Sequence, residues 1–199
     1  MAVTRERLEQ GMSYEQFVAG MTKNQERLHQ SETATSIDRA DLEFFRALPA
    51  PLDVLVLAED WCGDVIANLP VLAKLAAESG KLRPRIFLRD QNDDLMSQYL
   101  KDGQFRSIPV FVLFDAQLNE LGRFIERPAA FNQLRAERRQ ALYAAHPEIG
   151  DPATPVDSLT DEQRQARQTL LAQLEAELAP ERVRMVVRDL RSMLEKTGQ

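Results

Sequence analysis

The chain has 199 residues, of which 44% are hydrophobic and 28% charged, and its formal net charge is -6. This composition predicts a soluble globular protein, and the acidity disfavours non-specific nucleic-acid binding. No stretch approaches the roughly 20 apolar residues of a membrane span, and the polar N-terminus shows no signal-peptide pattern. The single cysteine excludes an internal disulfide and, with two distant histidines, makes a poor zinc set. We therefore predict a cytoplasmic protein without a metal site.

Residues 1–50 show helical periodicity and are predicted to form an N-terminal helical segment. The first apolar stripe opens with the capping-box spacing of Ser13 and Gln16 and consists of Tyr14, Phe17, Val18, Met21 and Leu28. A second stripe runs from Ile37 to Leu48 and stops at Pro49. These two stripes predict two helices.

The hydrophobic period changes in residues 51–146. Val54–Ala58 is a continuous apolar run, typical of a strand that is buried on both faces. Further strands are predicted at Arg85–Leu88, after Pro84, at Val110–Phe114 and, beyond a turn at Asp115–Asn119, at Leu121–Ile125. Helices are predicted from about Val65 to Ser79, from Asn92 or Asp93 to about Tyr99, and from Pro128 onward. The order β-α-β-α-β-β-α predicts an α/β fold with a central mixed sheet flanked by helices.

The C-terminal part has a different organisation. Residues 147–157 are rich in proline and are predicted to form a linker. Residues 158–199 form a predicted helical extension that opens with a capping box at Thr160 and Gln163. Two apolar stripes, at 170–178 and 183–194, lie on either side of Pro180 and predict separate helices. We expect these helices to pack on the preceding domain or on a second copy of the chain.

The residues with chemical potential lie where the first strand meets the following helix, at Trp61-Cys62-Gly63-Asp64. A cysteine at a helix start points its sulfur at unpaired backbone N–H groups and at the positive end of the helix dipole, which favours thiolate. The carboxylates of Glu59, Asp60 and Asp64 oppose thiolate formation by like charge. The sequence leaves open which of these influences on the pKa of Cys62 is larger.

Four segments in this region resemble the thioredoxin family. They are Ala58–Gly63 around the cysteine, Pro70 in the following helix, Arg89–Asn92 after the second strand, and Arg106–Pro109 before the third. The resemblance covers roughly residues 51–146 and implies a thioredoxin-like domain in which Cys62 attacks disulfides. It also implies that the Ile108–Pro109 bond is cis and faces Cys62. By this resemblance, Ile108 and Pro109 are candidate substrate-binding residues. Trp61, as an apolar surface for a partner peptide, and Gly63, which keeps the approach to the sulfur open, complete the candidate set.

Two departures from the family pattern change the expected chemistry. Val65 occupies the position of the second cysteine in Cys-x-x-Cys, so the chain lacks a resolving thiol. The buried acid that thioredoxins carry before the first cysteine is replaced by Val56, or by Leu55 if one inserted residue is allowed for. One-cysteine glutaredoxins resemble the chain less, because their cysteine follows residues unlike Trp61 and no glutathione-binding set surrounds Pro109. The chain resembles a thioredoxin that lacks its second active-site cysteine.

These observations predict a monothiol redox protein that performs thiol–disulfide exchange through Cys62. An external thiol such as glutathione would complete the cycle, with no metal or organic cofactor held by the protein. The alternatives are a non-catalytic binding module that uses the groove around Trp61 and Pro109, and a thiol sensor. The sequence does not decide between an enzyme and a binding protein. The expected partners are protein or small-molecule disulfides and thiols, without nucleic acid or membrane, and the oligomeric state is open.

Several other charged residues are predicted to have no role at the site. Five arginines following the third strand, at positions 123, 127, 135, 138 and 139, are interpreted as solvated helix and strand surface rather than as an anion site. His29 and His146 have no neighbouring ligand set and are left unassigned.

Overall fold

The structure, a computed structural model, describes residues 3–196 and residue 198. Its N-terminal part contains four helices: α1 (Arg5–Glu9), α2 (Tyr14–Gly20), α3 (Gln25–Ala34) and α4 (Arg39–Arg46). The prediction of two helices is therefore wrong, although the capping box at Ser13 is confirmed. The chain leaves the helical path after Gly20, and Asn24 has a φ of 56° directly before α3. Leu28, assigned by its spacing to the first stripe, consequently belongs to a separate helix.

The rest of the chain forms one four-stranded sheet and four more helices: β1 (Leu52–Ala58), α5 (Gly63–Ser79), β2 (Leu82–Leu88), α6 (Asp93–Met96), β3 (Val110–Phe114), β4 (Glu120–Ile125), α7 (Ala129–Ala145) and α8 (Asp161–Lys196). The strand order is β2-β1-β3-β4, with β1 parallel to β2 and antiparallel to β3. The predicted mixed sheet is confirmed. All seven residues of β1 are buried, as its continuous apolar run predicts.

Two predicted elements have different boundaries in the structure. β2 begins at Leu82 rather than after Pro84, because β2 is an edge strand of the sheet, where a proline is tolerated. The N-terminal segment partly covers this edge through paired backbone hydrogen bonds between Met12 and Ile86. Helix α6 spans only one turn instead of reaching Tyr99, and the Asn92 side chain donates to the Leu88 carbonyl at 2.7 Å instead of capping it.

A single helix, α8, replaces the two predicted C-terminal helices and passes through Pro180 without interruption. Proline inside a helix removes one hydrogen bond and clashes with the preceding turn, but packing on both sides of it compensates. Leu174 and Leu178 contact Phe131 of α7, whereas the segment from Val183 to Leu194 joins the main core. The helix crosses β4 at Gly122, where a Cβ atom would lie 2.9 Å from the Cβ of Met193. The expectation that this extension packs on the domain is confirmed.

Residues 147–157 form a compact connection between α7 and α8. Two short 3-10 turns lie at its ends, and Ile149 is fully buried. The guanidinium of Arg167 donates to the carbonyls of Ile149, Asp151 and Thr154 at 2.9 to 3.1 Å. In the part of the chain that the structure describes, no helix has the length and apolar character needed to cross a membrane.

Candidate functional site

Cys62 is the residue that caps the N-terminus of α5, at the point where the chain leaves β1. Its carbonyl accepts the first helical hydrogen bond, from Ile66 N at 3.1 Å. Its half-buried thiol faces the segment before β3 and donates to the carbonyl of Ile108, with Sγ and O 3.6 Å apart. The Ile108–Pro109 peptide bond is cis, as predicted. The fold therefore brings Cys62 next to the Ile108–Pro109 segment, which lies 46 residues further along the chain.

The pKa of the Cys62 thiol is raised above its ordinary value, and the main cause is burial of the sulfur. The backbone N–H groups of Val65 and Asp64 at the start of α5 lower it, and so does the charge of Arg89, whereas the Asp64 carboxylate raises it further. The hydrogen bond that the thiol donates to Ile108 is also lost on ionisation. The structure thus decides the competition that the sequence left open, in favour of the protonated thiol.

Trp61 provides the exposed apolar surface beside the cysteine, with 43% of the residue accessible to solvent. The guanidinium carbon of Arg89 lies 4.8 Å from the centre of its ring, within range of a cation–π contact. Arg89 and Arg106 each donate to the other's backbone carbonyl, at 3.1 and 3.4 Å. Through Arg89, the Trp61 ring is connected to the segment that leads into Ile108 and Pro109.

Glu59 and Asp60, the two acids before Cys62, do not face the sulfur. Glu59 is 8% exposed, and its carboxylate accepts the Asp90 N–H at 2.8 Å. Burial raises the pKa of Glu59. Asp60 accepts from the backbone N–H groups of Thr22 and Lys23 at 2.7 and 3.0 Å, and these bonds hold its pKa low although partial burial opposes them. Asp60 therefore fastens the loop between α2 and α3 to the turn that carries Cys62.

Asp64 has a different environment in the first turn of α5. Burial raises the pKa of its carboxyl, even though Arg127, Arg182 and Arg135 all act in the opposite direction. The Asp64 carboxylate lies 3.6 Å from Arg127 Nε, which has no hydrogen-bond partner among the described residues. Of the three acids predicted to influence the cysteine, Asp64 alone raises the pKa of Cys62.

The positions of the two family departures are filled by apolar side chains. Val65, Val56 and Leu55 are all fully buried in the core that α5 and β1 share. Within residues 3–196, no cluster of three or more His, Cys, Asp or Glu side chains has the geometry to hold a metal ion. The Cys62 thiol therefore has neither a second thiol at position 65 nor a carboxyl group at position 56.

Sequence patterns missed several residues around the site. Arg127 and Arg135 were expected to be solvated, and this is wrong: Arg127 contacts Glu126 at 2.5 Å and Arg135 contacts Glu175 at 2.5 Å. In the sequence Arg89 belongs to a family-like segment, and its position over Trp61 depends on tertiary packing. Asn68 is fully buried in α5 and donates to the Glu126 carbonyl at 2.8 Å. A polar residue on an otherwise apolar helix face was the one signal that could have indicated Asn68.

A mixed sheet, a cysteine at the start of the helix after β1 and a cis-proline segment opposite that cysteine together define a thioredoxin-like protein. A comparison with family models supports this class directly. The model described as Thioredoxin, Thioredoxin_9, matches residues 11–140, and the chain belongs to this family. The match begins well before residue 51, so the family region includes helices α2, α3 and α4. A search of curated proteins finds no match.

Solved structures with the same fold extend over nearly the whole chain. One is a protein of unknown function from Pseudomonas aeruginosa, with 18% identity and a TM-score of 0.64 over 98% of this chain and 99% of the other. Another is an HIV epitope-scaffold, with 20% identity and a TM-score of 0.64 over the same shares of both chains. At this level of identity the likeness shows the fold, including the terminal helices, and nothing about activity.

Proposed function

We propose that this protein performs thiol–disulfide exchange as a monothiol, with Cys62 as the attacking group. The observation that supports this most is the position of the Cys62 sulfur, at the N-terminus of α5 and 3.6 Å from the Ile108 carbonyl beside Pro109. A disulfide in this groove would lie between the exposed ring of Trp61 and the segment before β3. Gly63 adds no side chain next to the cysteine, and a Cβ atom there would have no neighbour within 4 Å outside its two chain neighbours.

The proposed exchange has two steps. Cys62 loses its proton to solvent, and the thiolate attacks one sulfur of the substrate disulfide, forming a mixed disulfide and releasing the other sulfur as thiolate. An external thiolate, for example of glutathione, then attacks the substrate sulfur of the mixed disulfide and releases Cys62. The second step must come from solution, because the chain has one cysteine and Val65 stands where a resolving thiol would be.

A non-catalytic binding module is the second candidate, and one observation favours it. Burial raises the pKa of Cys62, so only a small share of the thiol is ionised near neutral pH, and exchange should be slow. In such a module, Trp61, Ile108 and Pro109 would bind a peptide without turnover. A thiol sensor would need the same ionisation and is therefore supported less.

Insulin reduction with a common reductant tests the monothiol mechanism. The native protein should be poorly active, and Val65→Cys should gain partial activity, because the new thiol lies one helical turn from Cys62 and can resolve the mixed disulfide. The gain should be incomplete, since no buried acid occupies position 56. The control variant, Cys62→Ser on the Val65→Cys background, should be inactive. Native activity equal to that of Val65→Cys would contradict the monothiol mechanism. If Cys62 and the introduced cysteine form a disulfide but activity does not rise, the binding module is favoured.

A further inference from the structure

A cavity of about 390 Å³ opens beside the first turns of α5, where α3, α7 and α8 also line it. Its charged lining consists of Arg27, Arg135, Arg182, Asp64 and Glu175. We call it the arginine cavity. Three cations and two carboxylates leave an excess of one positive charge in a protein whose formal net charge is -6. The charge of this cavity is thus opposite in sign to that of the whole chain.

The arginines of this cavity are only partly neutralised by the protein. Glu175 forms ion pairs with two of them, with its carboxylate oxygens 2.5 Å from Arg135 Nε and 2.8 Å from a terminal guanidinium nitrogen of Arg182. Arg27 donates to the side-chain oxygen of Asn24 at 3.2 Å, and within residues 3–196 no carboxylate forms an ion pair with it. Guanidinium groups offer paired N–H donors that match the two oxygens of a carboxylate. The cavity therefore has cationic donors available for a ligand.

The buried guanidinium of Arg182 gives an independent indication that the cavity binds a ligand. Arg182 is 9% exposed, its guanidinium lies 4.5 Å from the centre of the Phe131 ring, and its Nε is buried without a hydrogen-bond partner among the described residues. Burying a guanidinium is costly unless its charge and its donors are satisfied. Arg182 lines the cavity together with Asp64 of the first turn of α5, and an anion bound there would offset this cost.

The cavity reaches the residues that directly follow the reactive cysteine. Gly63 and Asp64, the two residues after Cys62, both line it. A Cβ atom at Gly63 would meet no atom within 4 Å outside its two chain neighbours, so the cavity wall is open at this position. Because the lining carries both signs of charge, it suits the zwitterionic end of an amino acid, with carboxylate toward the arginines and ammonium toward Asp64 or Glu175.

We propose that the arginine cavity binds the amino-acid end of a low-molecular-weight thiol or disulfide that exchanges with Cys62. This inference rests on the proposed function and gives it a substrate class. With glutathione disulfide, the Cys62 thiolate would attack one sulfur, form a Cys62–glutathione mixed disulfide and release one glutathione thiolate. The cavity would hold the carboxylate end of the attacked half while its sulfur faces Cys62.

The test measures the rate at which Cys62 forms a mixed disulfide, by intact mass, with acidic glutathione disulfide and with neutral hydroxyethyl disulfide. Arg27→Gln and Arg135→Gln should each slow the reaction with glutathione disulfide by roughly threefold to tenfold. Neither should change the reaction with hydroxyethyl disulfide. The matched control is Arg138→Gln, an exposed position of α7 outside the cavity, and it should leave both rates unchanged. Equal effects of all three variants on glutathione disulfide would overturn the inference, because they would show only a general charge effect.

A second measurement separates failure of the cavity from failure of the proposed function. S-methylglutathione keeps the charged ends but cannot exchange, so its binding to the native protein, followed by calorimetry, does not depend on the reactivity of Cys62. Binding that Arg27→Gln weakens and Arg138→Gln preserves would support the cavity, even if Cys62 reacts with neither disulfide. Exchange with both disulfides at rates insensitive to Arg27 and Arg135, without binding of S-methylglutathione, would reject the cavity and leave the proposed function standing.

Discussion

The two sides of the turn that carries Cys62 shift the pKa of a carboxyl group in opposite directions. Asp60 and Asp64 each lie two residues from the cysteine, yet the pKa of Asp60 is lowered and that of Asp64 is raised. The Asp60 carboxylate accepts hydrogen bonds from backbone N–H groups of the loop between α2 and α3, whereas Asp64 is buried beside α7 and α8. Distance along the chain therefore does not set the electrostatic effect of a residue on the sulfur. The groups packed around each carboxylate set it.

This difference assigns separate tasks to the two sides. Asp60 stabilises the loop that precedes α3, since its carboxylate accepts its hydrogen bonds from residues 22 and 23. The Asp64 side is a charged region in which three arginines and Glu175 surround the start of α5. Four predictions test this division, and the one with the largest expected change comes first.

Removal of Glu175 should cause the largest loss. Glu175→Ala leaves Arg135 and the buried Arg182 without their carboxylate, and we expect the free energy of unfolding to fall by about 2 kcal/mol, discounted for the partial exposure of the pair. Urea denaturation measures this change. Glu177→Ala, at an exposed position of the same helix, should alter stability by less than about 0.5 kcal/mol. Equal losses in the two variants would show that the charges around the start of α5 do not stabilise the fold.

Asp60→Ala should reduce stability by about 1 kcal/mol at neutral pH, because three hydrogen bonds to residues 22 and 23 disappear. The folded pKa of Asp60 is below its ordinary value. Its contribution is therefore complete above the unfolded pKa, about 3.9, and is lost as pH falls through the folded value.

Asp64→Asn should show the opposite pH dependence. The raised pKa of Asp64 means that its ionised form is penalised in the folded state, and this penalty grows as pH rises through the folded pKa. Urea denaturation at several pH values between 3 and 7 compares the two variants with native protein. If the stability differences of both variants change with pH in the same direction, the proposed division between the two sides is wrong.

The smallest expected effect concerns the reactivity of the thiol. Alkylation of native Cys62 by iodoacetamide should still accelerate above pH 8.5, the ordinary cysteine value, because its pKa is raised. Asp64→Asn should speed alkylation at pH 7 by about threefold, since it removes the one carboxylate that raises this pKa. Asp60→Asn should change the rate much less. A larger acceleration by Asp60→Asn than by Asp64→Asn would mean that the Asp60 carboxylate has the larger effect on the pKa of Cys62.

Much of the fold could be predicted from sequence because its signals are local. The apolar run Val54–Ala58 and the capping box at Ser13 act within a few residues, and both are confirmed. The helix predicted from Pro128 begins one residue later, at Ala129, with Pro128 in the position before the helix. The errors have non-local causes. No residue near Gly20 indicates that the Asp60 carboxylate binds the loop after α2. The continuity of α8 through Pro180 depends on packing against Phe131 and against the main core.

For the site, the reactive groups and their order can be read from the sequence: one thiol at the end of a buried strand, a valine where a second thiol would stand, and an isoleucine–proline pair before the third strand. These features are the identity and order of residues in the chain, so they are known before the chain folds. The tertiary structure alone decided that burial raises the pKa of Cys62, that Arg89 lies over Trp61, and that Arg27, Arg135 and Arg182 meet beside Gly63. Desolvation and charge–charge interactions depend on distances through space, and residues 27, 63 and 182 become neighbours only when the helices pack.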